Sequence, residues 1–370
     1  MTRIVVVGAG VIGSSIARRI AERGASVTLL EASRPAGGTS LATFSWVNAL
    51  GKQPRAYFEL NLAGVAEHLA LVSELGGGEW YHPGGHLEWS SDADRLRGKV
   101  DLARSTGYAG ALVSPTRARE LEPDAVIGEH DTAAFYPDEA WVDPIPLVRR
   151  LLDHPGISLR IGEVTSLETA GDRVTGVVLG DGGSVPADAV VIATGPRAAE
   201  LAGSAGLELP MRHAPGLLAI TEPAPALVGR VLHAPGIAIR PDGAGRLLLA
   251  SDELDKQIEP SGGDLPVVAA AEELLTRARR ALRNLEGVGV EATRIGRRAI
   301  PGDGLPAIGP VPGCDGAYLA VTHSGITLAP LVGRLVAGEL IDGAPEAALD
   351  PYRPDRFSTV PVPSQTFEEK

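Results

Sequence analysis

Gly8, Gly10 and Gly13 recur as Gly-x-Gly-x-x-Gly near the start of the chain, and an acid, Glu31, follows 18 positions after the third glycine. That spacing suits a dinucleotide. Gly8 allows a tight turn, Gly10 lets backbone approach a pyrophosphate, and Gly13 lets a helix pack on a strand while its N-terminal N–H groups face the phosphates. Glu31 can accept hydrogen bonds from a ribose 2′-hydroxyl, which argues against a 2′-phosphate and so against NADP. The flanking elements make the motif specific. The β-branched run Arg3 to Val7 precedes it, a helical stretch to Arg23 closed by Gly24 follows, and the strand Ser26 to Leu30 delivers Glu31. A second apolar strand, Ala189 to Ala193, ends in Thr194-Gly195-Pro196, a small-residue turn open to a cofactor.

Other chemistries lack their residues. No Gly-x-Ser-x-Gly or His-Glu-x-x-His occurs, the eight histidines do not cluster at metal spacing, and Cys314 is the one cysteine, so no metal site or disulfide is expected. A net charge of −12 repels phosphate backbones and anionic membranes, which makes nucleic acid an unexpected partner. No apolar stretch approaches a membrane span and no signal peptide is evident, so a cytoplasmic protein is expected.

The remaining pattern predicts the scaffold. Tyr57 to Leu75 has helical apolar spacing and stops at Gly76-Gly77-Gly78, and Ser114-Pro115 and Asp143-Pro144 each read as a capping side chain before a first-turn proline. Ile157 to Val185 reads as a small antiparallel meander, and residues 211 to 254 read as further strands. Pro266 opens a helix from Val267 to about Leu285, whose arginines form a solvated face paired by Glu272 and Glu273. Arg297 to Gly309 reads as a strand, and His323-Ser324-Gly325-Ile326-Thr327 leads into a helix with an apolar stripe from Leu328 to Leu340. The tail after Ala344 is expected to be draped or frayed.

Taken in order, these motifs resemble the D-amino-acid oxidase superfamily of FAD-dependent oxidoreductases, in particular its glycine oxidase, sarcosine oxidase and D-amino-acid dehydrogenase branch. The resemblance covers almost the whole chain. It rests on Gly8-x-Gly10-x-x-Gly13 with Glu31, Gly38-Thr39-Ser40, Phe135-Tyr136-Pro137 to Val142-Asp143-Pro144, and Val191 to Gly195. It continues through Asp303-Gly304-Leu305-Pro306-x-Ile308-Gly309, His323-Ser324-Gly325 with Leu328-Ala329-Pro330, and Arg356-Phe357. The fold implied is α/β (α+β), a Rossmann-type FAD-binding domain with a central parallel sheet plus a substrate domain with a mixed antiparallel sheet. The expected division is 1–80, 140–206 and 299–370 for FAD, and 81–139 and 207–298 for substrate.

By the same resemblance the cofactor is noncovalent FAD, since Cys314 lacks the context of the cysteine that carries flavin in sarcosine oxidases. Gly8, Gly10, Val11, Ile12 and Gly13 would form the nucleotide turn, Glu31 and Ala32 the ribose site, and Thr39 and Ser40 the pyrophosphate site. Thr43, Phe44 and Ser45 would run beside the flavin, Val164 would meet the adenine, and Thr194 and Gly195 would close the sheet edge. Gly325, Ile326, Thr327 and Leu328 would present a helix N-terminus to flavin N1, where reduced flavin carries negative charge. Arg298 falls where glycine-oxidase-like relatives clamp the substrate carboxylate, and its fork matches that group. A salt bridge, or an exchange of roles with Arg297, is the alternative.

His323 stands either at the pocket or as a cap on the following turn. An oxygen-reactive lysine over the flavin is replaced by Leu248, and the pocket tyrosine of glycine oxidases by Ala238. Trp46, His86, Arg240, Asp252 and Glu253 are further pocket candidates with equally ordinary structural readings. The activity implied is oxidation of the C–N bond of an amino acid or N-alkyl amino acid by hydride transfer to flavin N5, giving an imine that hydrolyses to an oxo acid. Oxygen or another acceptor would take the electrons. The alternatives are a dehydrogenase or flavoenzyme subunit feeding a quinone or partner protein, and a flavin-binding protein without turnover. Substrate, chirality and oligomeric state stay open.

Overall fold

The computed structural model describes residues 3–258 and 267–358. Its first sheet has six strands in the order Ala307–Pro310, Ala317–Val321, Ala189–Ile192, Ile4–Val7, Val27–Glu31 and Ile157–Ile161, parallel throughout except for Ala307–Pro310. All four residues of Ile4–Val7 are buried, as a central strand covered on both faces requires. The period of two divides them. Ile4 and Val6 face the helices Val11–Glu22 and Gly325–Ala337, while Val5 and Val7 face the three-stranded meander Val164–Ala170, Arg173–Leu179 and Ser184–Pro186.

The second large sheet has eight strands in the order Val290–Arg297, Pro215–Thr221, Leu247–Ala250, Ile237–Pro241, Val231–Ala234, His86–Ser90, Thr132–Tyr136 and Ala111–Val113. Only the Val231–Ala234 and His86–Ser90 pair is parallel. Leu217, Ala219, Ile239 and Leu249 pack on the helix Val267–Ala281 through Ala270, Ala271, Leu274 and Leu275. On the opposite face, Leu218, Ala238 and Ala250 line a cleft beneath the sheet.

Several expectations are corrected. Ile157–Ile161 does not belong to the meander; it pairs in parallel with Val27–Glu31 and forms the sheet edge. Arg297 to Gly309 is two strands, one ending at Arg297 and one starting at Ala307, joined by a turn with Gly304 at φ 86°. The C-terminal segment is anchored as far as it is described: Leu349 and Tyr352 are buried in the helix-side core, and Arg353 Nη1 donates to Glu339 Oε2 at 2.9 Å. Ser114 caps its helix by accepting from Arg117 N at 3.1 Å, but Asp143 makes no cap and instead bonds His82 Nε2 at 3.1 Å. The helix from Val267 ends at Ala281, and Arg277 does pair with Glu273, at 2.8 Å. Pro266 lies outside the described residues.

Three helices converge behind the cleft at glycine distance. A Cβ at Gly333 would stand 2.8 Å from the Ser15 backbone, and one at Gly64 would stand 2.6 Å from the Thr327 carbonyl oxygen. Neither neighbour can yield, because both contacts are backbone. We therefore predict that Gly333→Ala destabilises the protein by about 1–3 kcal/mol, measured by urea unfolding; an unchanged midpoint would show that the helices separate freely.

Candidate active site

One cleft of about 980 Å³ runs between the parallel sheet and the mixed sheet, and it gathers most of the residues singled out by sequence. At one end lies the glycine turn. Gly8 has φ 102°, and a Cβ there would meet the Ala193 carbonyl oxygen at 2.5 Å, while a Cβ at Gly13 would meet Gly8 O at 1.9 Å. The turn is thus possible only without side chains at these positions. Glu31 braces it, accepting from Ala9 N at 2.9 Å through Oε2 and from Ser33 N at 3.0 Å through Oε1. Ser40 Oγ accepts from Val11 N at 3.1 Å and would be the neighbour, at 3.0 Å, of a Cβ on Gly10. Ile12, Ala32 and Val164 complete this end. Gly13 packs behind the turn and does not line the cleft. Thr39 lines it, but its Oγ1 donates to Arg297 O at 2.6 Å, tying the segment to the mixed sheet.

At the other end the helix Gly325–Ala337 points its N-terminus into the cleft without a side-chain cap, because Ser324 Oγ is bonded to Tyr57 OH at 2.7 Å. Its first N–H groups therefore face open space. Thr43, Phe44 and Ser45 cross in front of it, with Ser45 at φ 59° and its N–H bonded to Thr43 Oγ1 at 3.2 Å. Gly325, Ile326 and Thr327 line the cleft; Leu328 is turned into the helix-side core. Thr194 and Gly195 lie at the sheet edge, where Thr194 Oγ1 is buried without a partner among the described residues.

Arg298 and His323 reach the same cleft, whereas the Arg297 side chain does not. The Arg298 guanidinium uses one nitrogen for its acids: Nη2 bonds Asp255 Oδ2 and, at 3.0 Å, Asp252 Oδ1. Burial pushes the Asp255 carboxyl up, opposed by the Leu217 N–H at 2.8 Å and by Arg298. His323 is pushed down to about 4, first by crowding from surrounding protein and then by the cations Lys52 and Arg298. Its ring still faces open cleft, so water moderates the burial contribution; a neutral imidazole at neutral pH is the consequence.

Sequence reasoning missed Lys52, which lines the cleft and is pushed down by burial against the opposing pull of Glu139 and Asp252. Its position directly after the Gly51 turn carries no motif. Leu248 is not over the cleft; it is buried with Leu218 and Ile220. Trp46, Ala238, Asp252 and Glu253 do line it. His86 and Arg240 lie behind the wall, Arg240 stacked 4.7 Å from the Trp141 ring. Among the described residues, no group of three His, Cys, Asp or Glu side chains is placed to hold a metal ion, and no helix is long and apolar enough to cross a membrane.

A family model described as FAD dependent oxidoreductase matches residues 3–339. The chain belongs to this family. It is 29% identical over 378 residues to a glycine oxidase of Pseudomonas aeruginosa, covering 95% of this chain and 98% of that one. It is 30% identical over 364 residues to a bifunctional tRNA 5-methylaminomethyl-2-thiouridine biosynthesis protein of Thiobacillus denitrificans, of which it spans 56%. The crystal structure of glycine oxidase from Geobacillus kaustophilus superposes with a TM-score of 0.81 at 27% identity, covering 95% of this chain and 98% of that chain. FAD fits the cleft on physical grounds. Two helix N-termini open onto it, one uncapped and one with its first N–H bonded to Ser40 Oγ, a backbone-fixed carboxylate stands beside the glycine turn, and a buried hydroxyl has no partner among the described residues at the sheet edge.

The helix Arg55–Glu74, packed against Gly325–Ala337, carries a titration of its own. His68 is fully buried, donates Nε2–H to Ile326 O at 2.8 Å and is held down to about 4 by burial. Its folded value lies below its unfolded one, so the unfolded chain binds the extra proton as pH falls from 6.5 toward 4 and stability drops through that window. Urea unfolding across this range should lose up to about 3 kcal/mol that His68→Gln does not lose; equal slopes would contradict the assignment.

Proposed function

We propose that the protein oxidises the C–N bond of a small amino acid or N-alkyl amino acid whose carboxylate is held by Arg298. The observation that carries this reading is the position of Arg298 in the same cleft as the glycine turn and the uncapped helix Gly325–Ala337. Asp255 and Asp252 engage only Nη2, leaving Nη1 and Nε free of partners among the described residues to meet a carboxylate. Gly216 lies against this guanidinium, where a Cβ would come 3.2 Å from Nε, so the missing side chain there leaves room for the arginine.

FAD, when bound, accepts the hydrogen and electron pair from the substrate carbon. The chain's own residues bind and orient. Arg298 holds the carboxylate, the uncapped N–H groups of Gly325 to Thr327 favour negative charge at the flavin's N1 side, and Glu31 takes the ribose. His323, neutral at neutral pH, adds no third cation beside Arg298 and Lys52. Ala238 in the wall supports a substrate larger than glycine. Noncovalent attachment is supported by Cys314, which lies buried among Ala307, Val311 and Ala317 and does not line the cleft. The domain division 1–80, 140–206 and 299–370 against 81–139 and 207–298 is part of the same proposal, the first unit holding FAD and the second roofing the substrate.

Two outcomes follow. Arg298→Ala should raise KM for carboxylate substrates about 10- to 100-fold, the loss of a charged hydrogen-bonded pair, while the purified protein keeps its flavin band; an unchanged KM removes Arg298 from the reading. Acid precipitation should release the flavin into the supernatant, and flavin remaining with the pellet would mean a covalent bond.

A further inference from the structure

Behind the Trp46 wall three ionisable side chains from distant parts of the chain stand in line. Glu139 is buried, with Oε1 accepting from Tyr108 OH at 2.8 Å and Oε2 accepting from Trp46 Nε1 at 2.7 Å. His86 Nδ1 stands 3.1 Å from Glu139 Oε2, off the N–H direction, with both side chains almost wholly buried. His86 Nε2 lies 2.8 Å from His233 Nδ1. His233 lines the cleft, and its Nε2 has no bond to any described residue.

This order fixes what the cleft sees. With one proton on each ring and that of His86 on Nδ1, the nitrogen nearer Glu139, His86 Nε2 accepts from His233 Nδ1–H and His233 Nε2 is a bare acceptor. Charged neighbours approach from two sides, and on the cleft side Lys52 is attracted by Glu139. Lys99 and Arg95 approach from the helix Ala93–Ser105 and are both tied to Glu88, at 2.6 and 2.8 Å. The Tyr136 ring stacks on His86 with centroids 5.3 Å apart, and the Trp46 and Phe44 rings lie 4.7 and 6.2 Å from that of His233. Burial, His86 and these two cations disfavour charge on His233, whereas Glu139 provides a place for it on His86.

We propose that His233, backed by His86 and Glu139, is the catalytic residue that takes the proton from the substrate's ammonium group before its carbon is oxidised. The ammonium N–H breaks and a His233 Nε2–H forms, while the His233 Nδ1 proton passes to His86 Nε2. The positive charge ends on His86 beside the Glu139 carboxylate, and the amine keeps its lone pair. His86 and Glu139 are positioning residues. This rests on the amine-oxidation reading above.

The test uses the FAD-loaded full chain in two measurements. Nitrogen NMR of histidine-labelled protein between about pH 5 and 9, the range in which imidazoles titrate, should show His86 and His233 sharing one proton, a coupling abolished by His86→Gln. Independent titration of the two rings overturns the proposal. Anaerobic stopped-flow reduction is then followed against pH with glycine, sarcosine and a panel of amino acids as probes. His233→Gln should slow reduction about 100-fold or more at neutral pH, the weight of general base catalysis, with the rate recovering as pH approaches the free amine's own titration and with KM little changed. A variant that keeps the wild-type pH profile overturns the relay alone. Failure of every amine to reduce the wild-type flavin would instead bring down the amine-oxidation reading.

Discussion

The tight contact of the helix Gly325–Ala337 with its two neighbours governs the site. Gly333 lies against the Ser15 backbone and Gly64 against the Thr327 carbonyl, so this helix cannot rotate or withdraw without opening backbone-to-backbone packing. Its N-terminus is thereby held in the cleft. The first helix, Val11–Glu22, is fixed in turn by the contact of Gly13 with Gly8. Two positive helix ends are thus brought to one cavity by small residues far from any reacting atom, a geometry suited to an anionic cofactor.

Charge in the cleft is arranged in layers. Arg298 is oriented by Asp255 and Asp252, Lys52 is drawn toward Glu139 and Asp252, and His323 between these cations stays neutral. Behind the opposite wall, Glu139 is satisfied by Trp46 and Tyr108 and faces His86. A buried carboxylate held in this way can serve as counter-charge for an imidazolium, where an unsatisfied one would itself take up a proton.

Some of this was legible in the sequence because it is local. The glycine turn, its buried strand and Glu31 are contiguous, and each residue type answers a steric or hydrogen-bonding need within a few positions. Ile157–Ile161 was misread because four of its five residues are exposed, so it lacks the apolar run by which a parallel strand is recognised. The capping reading of Asp143 failed because a carboxylate before a proline can equally bond across to His82. Arg298 could be selected through family resemblance, but its ion pair with Asp255 depends on the pairing of Pro215–Thr221 with Val290–Arg297. The line from Glu139 through His86 to His233 had no linear signature at all. It is assembled by the parallel pairing of Val231–Ala234 with His86–Ser90, between residues almost 150 positions apart.

The most direct measurement of the central claim is an anaerobic visible spectrum of the purified protein during addition of glycine, sarcosine, proline and a panel of D- and L-amino acids, followed by air. Loss of the flavin band with an amine that carries a carboxylate, and not with the same amine lacking it, is the result the cleft predicts; the speed of recovery in air then separates an oxidase from a dehydrogenase. A protein that takes up FAD but is bleached equally well by amines without a carboxylate, or by none of them, would contradict the account.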